Sequence, residues 1–104
     1  MMNRINLLAI FALLSANAHA ETADDVCPYA GKLAEQIMIS RQSGVEISQF
    51  LKDVKFEPEI RKSARKMVFD AYALPLMKSE ASKKEAIRSF KESVEVRCYR
   101  ELSD

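Results

Sequence analysis

The residues able to do chemistry in this chain are few, and their spacing narrows the choice. Cys27 and Cys98 are the only cysteines. Redox enzymes usually place their paired cysteines a couple of residues apart, and these two stand near opposite ends. In an oxidising compartment an even pair in a small domain reads instead as a structural disulfide. Closing a loop of ~70 residues removes unfolded-state entropy worth on the order of 4 kcal/mol. For so small a domain that is a large share of net stability. The single histidine, His19, lies within the first twenty residues. Glu80, Glu85, Glu92 and Glu95 could in principle supply the carboxylate pair of a glycosidase. They interleave with Lys83, Lys84, Arg88 and Lys91, however, which suits a salt-bridged exposed helix face with pairs such as Glu80–Lys84.

The densest positive cluster is Arg61-Lys62-Ser63-Ala64-Arg65-Lys66. On a helix Arg61 and Arg65 lie one turn apart, as do Lys62 and Lys66. Such a patch suits phosphate-bearing lipid or an acidic protein partner. The plainer reading is a solvated face balanced by Glu57, Glu59 and Asp70. Arg41-Gln42-Ser43-Gly44-Val45 is the most distinctive turn; a loop after a capped helix can recognise a partner, although helix termination alone accounts for it. The candidate partner-binding residues are therefore Arg41, Gly44, Arg61, Lys62, Arg65 and Lys66. Tyr29, Tyr72, Tyr99 and Phe56 are expected at the edges of apolar stripes, with rings packed and tyrosine hydroxyls at the surface.

These residues belong to a chain of 104 residues, 48% hydrophobic and 30% charged, with formal charge +1 and no Trp. That is one domain at most, of ordinary globular composition. Met1-Met2-Asn3-Arg4 is a short basic start, the apolar run Ile5–Leu14 follows, and Ala18-x-Ala20 closes the segment. This is the pattern of a secretory signal peptide spanning 1–20 and cut after Ala20. Its apolar run is about half of the ~20 residues that a membrane-spanning helix needs. Removing Arg4 and His19 leaves 21–104 as a single domain with 15 basic and 15 acidic side chains and no histidine. Such a chain cannot run Ser-His-Asp or Cys-His catalysis, or hold zinc through imidazole. Its neutral charge argues against nucleic acid as the main partner. The expectation is a protein that is not an enzyme, with no catalytic residue, cofactor or metal site.

A small bundle of three to four helices must position these side chains. Strand alternation is absent, and glycine and proline occur only as Gly31, Gly44, Pro28, Pro58 and Pro75. The first helix is predicted to start after Asp24 or Asp25, with Pro28 in its first turn, and to end around Arg41–Gly44. Its apolar stripe is Val26, Ala30, Leu33, Ala34 and Ile37, with Met38 at the edge. Gly31 inside it costs up to about 1 kcal/mol relative to Ala and marks a close approach to another backbone. A short helix is predicted from Ile47 or Ser48 to about Val54, with Ser48 as a cap. The third begins near Glu57-Pro58-Glu59, carries Ile60, Ala64, Met67, Val68 and Ala71, and stops before Pro75. The last runs from Ser79 or Ser82 to about Leu102, with Ala86, Ile87, Phe90, Val94 and Cys98 on one face. If the first and last helices are antiparallel, Cys27 and Cys98 meet at one end of a small all-α bundle.

The series Cys27…Ala34…Ile37…Arg41-x-x-Gly44, followed by Ala71-Tyr72 and by Phe90 ahead of Cys98, resembles short exported proteins of Gram-negative bacteria and their phages, over nearly all of the chain after the signal peptide. The resemblance implies a periplasmic, cysteine-paired helical domain and carries no catalytic residue across. In general plan the chain is also similar to the small periplasmic acid-stress chaperones, a likeness of architecture alone. The functional expectation is binding of another envelope protein. The alternatives are a chaperone triggered by acid or stress and a phage-derived regulator of lysis or superinfection.

Overall fold

The computed structural model describes residues 22–102; the expected signal peptide and its cleavage site lie outside the described residues. Four helices follow one another: α1 (Ala23–Gln42), α2 (Ile47–Asp53), α3 (Arg61–Tyr72) and α4 (Glu80–Leu102). Among the described residues there is no strand.

Each helix boundary has a local cause. Thr22 is extended and opens α1; the Asp25 carboxylate folds back to accept its backbone N–H at 3.4 Å and its hydroxyl at 3.3 Å. Asp24 and Asp25 are thus first-turn acids at the positive end of the helix dipole, rather than the cap. The earlier start moves Pro28 beyond the first turn, inside the helix. There its missing N–H removes the bond that the Asp24 carbonyl would otherwise accept. At the other end Gly44 takes φ +86°, its N–H reaches the Arg41 carbonyl at 3.1 Å, and the Val45 N–H reaches the Ser40 carbonyl at 3.1 Å. These are the two bonds of a Schellman ending, which needs the left-handed conformation that glycine adopts freely.

Glu46 precedes α2, so Ser48 lies inside that helix rather than capping it. Pro58 forms a separate turn, closed by the Ile60 N–H on the Glu57 carbonyl at 3.1 Å. Ile60 at φ −112°, ψ −1° breaks the helical path, and α3 therefore starts at Arg61, later than the acids around Pro58 suggest. Ser79 caps α4, its Oγ accepting the Ser82 N–H at 3.0 Å.

α1 is the central element. It packs along α4 and, less extensively, against α3, while α3 and α4 scarcely touch each other. The core joins Ala34, Ile37 and Met38 of α1 to Phe50, Val68, Ala71, Phe90 and Val94. The buried residues of α1 are Cys27, Gly31, Ala34, Ile37, Met38 and Gln42. Met38 therefore lies at the centre of the buried face rather than its edge. Cys27 and Cys98 are joined, with Cα atoms 5.5 Å apart, so the first and last helices are linked at one end of a small all-α bundle. A Cβ on Gly31 would meet the carboxylate and Cγ of Glu95 on α4. The close neighbour is thus a side chain rather than a backbone.

Candidate functional site

The basic residues of α3 do not share one environment. Lys66 Nζ lies 2.9 Å from Asp70 Oδ2, and Arg97 Nη1 of α4 lies 3.6 Å from the same oxygen. Asp70 thus links the two helices that otherwise barely meet. Arg61, Lys62 and Arg65 have no carboxylate partner among the described residues. Glu57 and Glu59, expected to balance them, make no ion pair with them. Arg61 Nη2 donates weakly to the Phe56 carbonyl at 3.5 Å, and the Arg65 guanidinium stands 5.5 Å from the centre of the Phe69 ring.

Arg41 is placed elsewhere, with its side chain engaged within the chain. Its Nε donates to the Leu74 carbonyl at 3.0 Å, and its guanidinium lies 5.5 Å from the Tyr72 ring centre. Gly44 contributes backbone geometry alone. The neighbouring Gln42 was no candidate, yet it is buried at 3% exposure. Its Nε2 donates to the Pro75 carbonyl at 2.9 Å, and its Oε1 accepts the Met77 N–H at 2.8 Å. A buried amide is costly unless both ends are satisfied, and the segment between α3 and α4 supplies both partners. The signal in the sequence is a register: Gln42 continues the buried line Ala34, Met38 at helical spacing.

Tyr72 also departs from expectation. Its ring lies 6.1 Å from Phe50, which is 6.5 Å from Phe56, but its hydroxyl is buried without a hydrogen-bond partner. Burial pushes its pKa above the usual tyrosine value, and the nearby Arg41 charge offsets part of that rise. Tyr29 is 62% exposed, so its ring is largely in solvent. On α4, Glu80 pairs with Lys83 at 3.8 Å, rather than with Lys84. Arg88 bridges Glu85 and Glu92, each at 2.6 Å, and its hydrogen bond and charge hold the Glu85 carboxyl below the ordinary range.

Because α3 and α4 each lean on α1, a groove stays open between them near the disulfide. It encloses about 320 Å³. Ala30, Met67, Val94, Cys98 and Leu102 give it apolar lining, and Ser63, Lys66, Asp70, Arg97 and Glu101 give it polar lining. Of the candidate partner-binding residues the groove takes in Lys66, and it also takes in the disulfide cysteine Cys98. Arg41 borders a second, more open hollow with Glu46, Ile47, Ser48, Phe69, Tyr72 and Ala73. Neither hollow unites Arg41 with the α3 cations. No group of three or more His, Cys, Asp or Glu side chains stands ready for a metal among the described residues. No described helix is long and apolar enough to cross a membrane. Comparison with known protein families, with curated proteins and with solved structures finds no match to this chain.

Proposed function

We propose that this chain is a non-enzymatic periplasmic protein that acts by binding another envelope protein, and that the groove between α3 and α4 is its binding surface. The observation that carries the reading is the composition of that groove. Apolar side chains from three helices line it, with Ala30, Met67 and Cys98 half-buried and Leu102 exposed, and the charged series Lys66, Asp70, Arg97 runs beside them. Protein interfaces combine an apolar centre with a polar, hydrated rim in this way. Leu102, beside the groove, is 53% exposed, a large apolar side chain for a partner to cover. The signal-like start of the sequence and the disulfide support an oxidising compartment outside the cytoplasm, as does the resemblance to small exported proteins.

The test is photo-crosslinking in cells of the native host. A photoreactive residue is placed at Ser63 or Leu102 beside the groove, and at Lys84 on the opposite half of α4. A discrete protein adduct from the groove positions, absent from Lys84, is the expected result. Equal labelling from all positions, or no adduct at the groove, removes the reading.

A further inference from the structure

The backbone from Leu74 to Met77 is held against α1 at three points: the Leu74 carbonyl by Arg41, the Pro75 carbonyl by Gln42, and the Met77 N–H by Gln42. Fixing a backbone costs conformational entropy, yet this pinned segment turns its leucines outward. Leu74 is 41% and Leu76 46% exposed, and Phe69 near the end of α3 is 48% exposed. Phe69 continues a line on α3 through Arg65 and Arg61 at four-residue steps. Arg61, Lys62 and Arg65, all exposed, have no carboxylate partner among the described residues. The acid bordering the nearby hollow is Glu46, which lines it together with Arg41.

We infer that this edge seats on an anionic bilayer surface. Phe69, Leu74 and Leu76 enter the boundary between headgroups and acyl chains, and Arg61, Lys62 and Arg65 pair with lipid phosphates. The charge complementarity favours a phosphate-bearing surface. The apolar side chains sit on a helix end and a fixed loop, each close to half exposed, which is how interfacial anchors are presented. A folded acidic protein would need a matching apolar pocket for each of them, whereas a bilayer offers apolar depth at every point. This edge is distinct from the groove between α3 and α4, so either assignment can fail without the other.

The experiment uses protein recovered from the periplasm of an expressing host, floated with vesicles of phosphatidylcholine alone or with roughly a third phosphatidylglycerol, which gives the surface a negative potential. Binding to the anionic vesicles alone, weakening as salt rises, is expected. The variant Arg61→Gln/Lys62→Gln/Arg65→Gln should lower partitioning by about a hundredfold, and Leu74→Ser/Leu76→Ser by about tenfold. Both variants should keep the parent's helical circular dichroism, since every altered side chain is exposed or borders solvent. Because they share the parent's N-terminus, the differences report on this edge. Equal binding to neutral vesicles, binding indifferent to either variant, or no binding would overturn the inference. So would a protein adduct from Phe69 that vanishes in the triple variant while vesicles stay unbound, since an acidic protein would then be the occupant.

Discussion

Replacing Gln42 with Ala removes two of the three hydrogen bonds that tie the end of α1 to the segment ahead of α4, leaving that of Arg41 to the Leu74 carbonyl. Each neutral bond contributes about 1 kcal/mol net, and the lost methylene about 0.8 kcal/mol more. Against this, alanine is the better helix former by a few tenths of a kcal/mol, and it avoids the rotamer entropy of holding a long amide, up to roughly 1.5 kcal/mol. Pro75 is exposed and Met77 half-buried, so water can reach the freed backbone groups and the cost stays moderate. The balance is a loss of about 1–2 kcal/mol. Urea unfolding followed by circular dichroism reads that loss as a lower midpoint at unchanged slope. Hydrogen exchange reads the mechanism, because the Met77 amide should lose protection in the variant while amides in the middle of α1 keep theirs. A Met77 amide that exchanges at the parent's rate would refute the reasoning, whatever the midpoint does.

Gly31→Ala should destabilise the chain by about 1–2 kcal/mol, since its Cβ would overlap the half-buried Glu95 side chain. In a Glu95→Ala background the same change should become stabilising by up to about 1 kcal/mol through helix propensity; a thermal-melt double-mutant cycle reads the reversal, and additive effects would contradict it. Tyr72→Phe should be neutral or slightly stabilising at pH 7, by up to about 1 kcal/mol, because it deletes a buried hydroxyl without a partner. The raised Tyr72 pKa gives the sign of the alkaline response. Its contribution is fully present below pH 10 and lost as pH rises through the folded-state value above it. Urea midpoints at pH 8 and pH 11 should accordingly fall more for the parent than for Tyr72→Phe, and parallel declines would count against the assignment.

The element order was readable because apolar periodicity, Gly44 and the acids in the first turn of α1 are local signals that the tertiary structure leaves in place. The joining of Cys27 to Cys98 followed from the same reading, since antiparallel first and last helices bring the two together. What escaped was set by contacts between elements. Gln42 looks like a solvated residue beside an exposed arginine until the segment 74–77 arrives to satisfy it. Glu57 and Glu59 look like counterions to the basic run, but the turn at Pro58 and the late start of α3 leave them outside ion-pair distance. Lys66 alone among those four cations gains a carboxylate, because Asp70 lies one turn onward on the same face. The groove could not be read from sequence, since it exists because α3 and α4 both prefer α1 to each other.

The disulfide and the Gln42 contacts secure α1 at opposite ends. Cys27 and Gln42 lie fifteen positions apart on one helix, about 22 Å at 1.5 Å per residue. One end is tied covalently to α4, and the other by hydrogen bonds to the segment leading into it. Reduction therefore releases one tie and leaves the other. Closing a loop with a sequence separation of 71 is worth about 4 kcal/mol by chain entropy, so the reduced chain should show a much lower urea midpoint. The loss should also be graded along α1. Amides around Ala30–Ala34 depend on α4 staying seated near Cys98, whereas those around Met38–Gln42 keep the Pro75 and Met77 contacts. Hydrogen exchange on the reduced, alkylation-free protein in mild reductant should show the first group losing more protection than the second. Uniform loss would mean that α1 opens as one unit and that the polar contacts hold nothing independently of the disulfide. Greater loss at the Gln42 end would reverse the assignment of the two ties. In the expected case, reduction loosens the groove beside Cys98 while the edge bearing Leu74 and Leu76 stays fixed, so the proposed protein-binding and lipid-binding surfaces can be separated by redox state alone.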